Sequence, residues 1–140
     1  MASTFDCLYA CLSYFRSYDN TVRIFDTRNM SSPVADVGVG GGVWRVKWHP
    51  SASRKEDLLV ACMHDGFKIV NYTLRETINQ GIVTDPPVVT SRYDAHTSLA
   101  YGVDWQHSLG QEDVQDFVAS CSFYDHSLHL WVPKYINNRQ

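Results

Sequence analysis

Two imidazoles in this chain stand beside aspartates of the kind that hold turns: His64 next to Asp65, and His126 next to Asp125. An imidazole titrates near neutral pH, so either histidine can act as a general base toward water or a hydroxyl. Each pair also has a plainer reading, in which the aspartate holds a tight turn and the histidine is a surface residue. No G-x-S-x-G nucleophile elbow is present, which weakens a serine-hydrolase reading and leaves a base-activated water or another nucleophile. The four cysteines, Cys7, Cys11, Cys62 and Cys121, form neither a C-x-x-C pair nor a repeated ligand spacing. They read as reduced, mostly buried thiols, and no metal or cofactor is expected. The glycine-rich run VGVGGGV lacks the Gly-Lys-Ser/Thr of a phosphate loop. It reads as a flexible lead into a strand.

The elements that must position these groups are strands. In SFYDHSLHLWV, Trp131 follows Asp125 by six residues, and in SYDNTVRIFD Phe25 follows Asp19 at the same distance. Val22 and Ile24 then match Leu128 and Leu130, while Thr21, Arg23 and Phe25 match Ser127, His129 and Trp131. One unit written twice indicates a β-propeller blade repeat, with Leu128 and Leu130 in the core and His129 packed between blades. A third copy turns at Asp65 but has Asn71 where the others have an aromatic.

Between these units, Leu12 to Asp26 offers two strands around Tyr18-Asp19-Asn20, and Thr27 to Asp36 reads as a connection. VWRVKWHP places Trp44, Val46 and Trp48 on one face of a strand and Val43, Arg45 and Lys47 on the other. LLVACM is an unbroken apolar run, the pattern of a buried central strand, and FKIVNY returns from it. Cys62 and Cys121 fall on equivalent strands and are both expected to be buried. Thr73 to Thr90 reads as a long connection with a short strand at Pro87 to Ser91. SLAYGVDW, DFVASCS and SLHLWV supply the last strands, Leu109 to Asp116 a solvated loop, and KYINNRQ a fraying tail.

Composition excludes several classes of partner. The apolar fraction of 44% over 140 residues fits a strand-rich globular domain rather than disorder. A net charge of −3 gives no electrostatic case for nucleic acid or an anionic membrane. No apolar run reaches the roughly 18 residues of a membrane span, and Asp6 interrupts a poor signal sequence. The expected compartment is the cytoplasm.

These residues resemble the WD-repeat family. The resemblance implies a hydrogen-bonded tetrad of His96, Ser120 (or Ser122), Asp125 and Trp131, with Ala100, Val103 and Trp105 at the family's offsets after the histidine. It implies an all-β, partial and open WD-repeat propeller of roughly two and a half blades. The expected organisation is an atypical segment over 1–16, a propeller over 17–135 with blades near 1–37, 43–93 and 96–135, and a tail over 136–140. That amount of propeller reads as the C-terminal piece of a longer protein or a truncated product.

Taken together, GGVWRVKWHP, ACMHDGFKI, SLAYGVDW and CSFYDHSLHLW are similar to the C-terminal part of diphthine methyltransferase-like WD-repeat proteins, the diphthine methylesterases of diphthamide biosynthesis. The resemblance implies hydrolysis of a methyl ester on a modified histidine of translation elongation factor two. His64 and His126 are then the acid/base candidates. The alternatives are a non-catalytic WD-repeat scaffold and an inactive fragment.

Overall fold

A computed structural model describes residues 12–15, 18–77, 81–107 and 115–136. Among them all regular structure is strand, apart from a 3-10 turn at Ala52–Arg54. Three antiparallel sheets follow one another along the chain. The first holds β1 (Leu12–Phe15), β2 (Thr21–Asp26) and β3 (Ala35–Gly38). The second holds β4 (Arg45–Trp48), β5 (Asp57–Ala61), β6 (Phe67–Asn71) and β9 (Val88–Tyr93), with β7 (Leu74–Thr77) and β8 (Gly81–Thr84) forming a separate ribbon between the last two. The third holds β10 (Ala100–Trp105), β11 (Val118–Ser122) and β12 (Ser127–Trp131).

The sheets pack face to face as blades of an open, partial β-propeller. Val22 and Ile24 of the first blade cluster with Val46, Leu58, Val60 and Val70 of the second. Leu59, Ala61, Phe67 and Ile69 on the other side of the second blade cluster with Val103, Trp105, Val118 and Trp131 of the third. Both faces of β5 are therefore covered, which is why LLVACM is apolar without alternation. His49, at the end of β4, lies against the Trp105 ring at 4.5 Å and ties the far ends of the second and third blades.

Several sequence expectations are corrected. Leu128 and Leu130 are not core: they are 70% and 73% exposed. Their counterparts Val22 and Ile24 are buried because a following blade covers them, and no described sheet follows β12. Cys121, expected to be buried, is exposed on that same open face, whereas Cys62 is buried. The pairings place Ser122 rather than Cys121 opposite the third turn, where Cys62 stands in the second.

Asn71 does not stand in the place of Trp131. Leu58 pairs with Val70 as Val118 pairs with Trp131, so Val70 fills the aromatic position. The cause is a turn shorter by one residue. Met63, His64 and Asp65 join Cys62 to its partner Gly66, whereas Phe123 to His126 join Ser122 to Ser127.

Other differences lie in the connections. Val43 buries with Val46 instead of opposing it, because β4 begins only at Arg45. Strand β3 begins inside the connection expected over 27–36 and runs on to Gly38, and within the connection expected over 73–90 residues 74–77 pair with 81–84. The start of the tail is anchored: Ile136 donates its N–H to the Thr90 carbonyl at 2.8 Å, and Tyr135 lies under the Arg54 guanidinium at 4.5 Å. The glycines are not a flexible lead. A β-carbon on Gly41 would overlap the Cys62 carbonyl, and one on Gly40 (φ 81°) would overlap the Asp65 carboxylate. Cys7 and Cys11, and residues 109–114 of the loop expected over Leu109 to Asp116, lie outside the described residues.

Candidate functional site

One end of the three blades gathers the chemistry. Strand pairing brings the turns at Tyr18–Asn20, Met63–Gly66 and Phe123–His126 to the same end as the segments leading into β4 and β10. A cross-blade bond from Ala100 N–H to the Met63 carbonyl joins the second and third blades here, and Val39 N–H to the Asn20 carbonyl extends the β2–β3 pairing of the first, both at 2.8 Å. Asp19 and Asp125 each accept the N–H two residues on, at 3.1 and 3.0 Å, so the repeated turn has the same physical cause in both copies.

Between the second and third blades at this end lies a cavity of about 350 Å³, whose lining includes His64, Arg92, Asp94, His96 and Ser98. Arg92 reaches Asp65 and Asp94, each at 2.5 Å. Lys68 approaches Asp65 at 2.5 Å and donates to the Val39 carbonyl. The Lys68 bond, and then Arg92, hold the Asp65 carboxyl below its ordinary value, while Asp94 and Asp65 hold the Arg92 guanidinium above its own. Asp65 is thus a fixed anion bound by two cations. His64 is exposed at the rim.

The third blade carries a relay of hydrogen bonds. Trp131 Nε1–H donates to Ser120 Oγ at 3.0 Å, and Ser120 Oγ lies 2.9 Å from His96 Nε2. His96 Nδ1 lies 2.8 Å from Ser127 Oγ, which donates to Asp125 Oδ1 at 2.7 Å. One assignment gives every proton an acceptor: Ser120 donates to Nε2, and Nδ1–H donates to Ser127. Ser120, not Ser122, is the serine that bonds both His96 and Trp131. His96 and Asp125 are 3.7 Å apart, so the Ser127 hydroxyl mediates between them. Burial, and then the adjacent His129, keep the His96 imidazole below its ordinary value and neutral at pH 7. Burial would raise the Asp125 carboxyl, but bonds from the Ser127 hydroxyl and N–H and from the Thr97 N–H outweigh it and leave Asp125 ionised.

His126 lines a second cavity, with Tyr101, Phe123 and Leu128. The two sequence-level base candidates are therefore at one end of the molecule but in separate cavities. Cys62 joins neither, since burial pushes its thiol up to about 12, an inert state, while Cys121 borders the second cavity. Among the described residues no group of three or more His, Cys, Asp or Glu side chains is placed to hold a metal ion.

Sequence reasoning missed Lys68 and Ser127, which it passed over as strand residues, and Arg92, which it placed in no element. It also missed the His49–Asp116 pair at 3.2 Å, which lies at the opposite end. There the Ser51 N–H donates to His49 Nδ1 at 3.0 Å, leaving Nε2–H for Asp116. Only the length of the Asp65 turn signalled Lys68, by moving it into register with His129.

No protein-family model matches the chain. No solved structure gives a significant match. A diphthine methyltransferase homolog of Dictyostelium discoideum is 41% identical over 118 residues, covering 84% of this chain and 30% of that protein. The diphthine methyltransferase of Mus musculus is 49% identical over 96 residues, covering 66% and 19%, and that of Saccharomyces cerevisiae is 34% identical over 135 residues, covering 83% and 31%. The chain spans less than a third of the length of these relatives. Over most of its own length the chain is thus similar to proteins named diphthine methyltransferase.

Proposed function

We infer that this chain takes part in diphthamide biosynthesis as a diphthine methylesterase, acting in the cytoplasm on translation elongation factor two. The observation that carries the reading is its likeness to proteins named diphthine methyltransferase, at 41% and 49% identity over most of its length. The cavity between the second and third blades supports it, because His64, Arg92 and Ser98 converge there on a space of about 350 Å³. His64 takes a proton from water, the hydroxide adds to the ester carbonyl, and collapse of the tetrahedral intermediate releases methanol with the proton returned. Arg92 and Ser98 supply donors for the oxyanion.

The test is incubation of the chain with elongation factor bearing methylated diphthine, read by mass spectrometry of the modified peptide. Loss of the methyl group, abolished in His64→Ala, is the expected result; an unchanged ester sinks the reading. A second reading is a non-catalytic scaffold. It is favoured by the aromatic rings Tyr18, Trp44 and Tyr101, which run from blade to blade at the same end with neighbouring centroids 6.3 and 4.9 Å apart. Retention of the factor on the chain with no turnover is its signature.

A further inference from the structure

Three rings face the second cavity. The Tyr101 and Phe123 centroids are 6.2 Å apart with planes at 50°, and those of Phe123 and His126 are 6.4 Å apart at 44°. The rings line one space of about 350 Å³ together with Cys121 and Leu128. The face of an aromatic ring is the negative side of its quadrupole, so a cation bordered by several rings is attracted to each. The lining is mostly carbon. Its side-chain oxygens are the Tyr101, Ser122 and Ser127 hydroxyls, the last already bonded to His96 and Asp125, so it offers few acceptors to the three N–H donors of a primary ammonium, whereas a fully methylated one has none to satisfy.

Two further observations point the same way. His126 adopts φ 50°, in the left-handed region, where the sister turns place Asn20 (φ 65°) and Gly66 (φ 67°). Histidine is, with asparagine, among the side chains that region favours, so the turn presents the His126 ring at the cavity wall without unusual strain. The adjoining Asp125 is bound by the neutral groups Ser127 and Thr97, and its neighbour His96 is itself uncharged. It therefore lends the cavity a negative potential.

We propose that Tyr101, Phe123 and His126 form an aromatic cage for a quaternary ammonium group, the trimethylammonium that diphthine carries. The identity of that ligand rests on the reading above, while the cage rests on its geometry. The cage assigns His126 a binding role and leaves His64 as the base.

Choline and its neutral isostere 3,3-dimethylbutan-1-ol separate charge recognition from shape. Each is titrated into the chain and followed by NMR of the aromatic ring protons. Choline should bind about two- to thirtyfold more tightly than the alcohol. Phe123→Leu, at an exposed position, should bring the two affinities together while the circular dichroism spectrum is unchanged, and Tyr101→Ala should weaken choline binding likewise. Equal affinities for the wild-type chain, or a folded chain with no saturable choline binding, would overturn the cage. Choline binding does not depend on turnover. A chain that binds choline and leaves the ester intact loses the methylesterase reading alone, and one that hydrolyses the ester without binding choline loses the cage alone.

Discussion

At the scale of the residue, the Ser127 hydroxyl decides how the third blade holds its buried histidine. It accepts from His96 and donates to Asp125, so its removal strands Nδ1–H of a largely buried ring. Ser127→Ala is expected to lower stability by about 1–3 kcal/mol, the cost of an orphaned buried donor, measured as a fall in the urea midpoint. His96 and His49 both have their imidazoles held below the ordinary value, chiefly by burial. The unfolded chain therefore binds more protons on the acid side. Their contribution is complete above about pH 6.5 and declines as pH falls through that value toward the folded pKa of each ring. Asp65 and Asp125, held low, add a second decline only below about pH 4. An unfolding midpoint that stays flat from pH 7.5 to about 5 would contradict the neutral-imidazole relay. The Asp125-to-Trp131 spacing was legible because two large side chains recur at a fixed distance. Ser127 was not, because a hydroxyl's part in a network depends on which partners the fold brings within 3 Å of it.

At the scale of the element, the segment before β4 shows how a local pattern misleads. Three consecutive glycines read as freedom, yet Gly41 lies so close to the Cys62 carbonyl that a side chain has no room. The close approach lets this segment lie over the turn that carries His64 and Asp65. Gly41→Ala should destabilise by about 1–3 kcal/mol through overpacking, in contrast to the mild stabilisation that alanine gives in an open loop. Thermal unfolding of the variant distinguishes the two signs. The strands with strong alternation or an unbroken apolar run were readable from sequence, as β2, β5 and β12 show. The ribbon of β7 and β8 was not, because it lies outside the three blade sheets, whose mutual packing is what imposes a pattern. The position of Val70 was hidden for another reason: one residue fewer in a turn moves every later side chain of the strand to the opposite face.

At the scale of the whole molecule, one face is repeated three times and covered twice. Val22 and Ile24 are fully buried against the second blade, and Phe67 and Ile69 fully buried against the third. Leu128 and Leu130 hold the same places on the third blade and remain 70% and 73% exposed. The repeat therefore fixed the residue types, but not their burial, since burial depends on the sheet that comes next. This separates apolar identity from contribution to stability within one chain. Ile24→Ala should cost about 2–5 kcal/mol, the range for emptying a packed core site. Leu130→Ala removes contacts mainly with solvent and should change stability by no more than about 0.5 kcal/mol. Urea denaturation of the two variants at a single low protein concentration makes the comparison. Comparable losses would mean that the face bearing Leu128 and Leu130 is covered in solution, and the open third blade would then be the wrong description of the isolated chain.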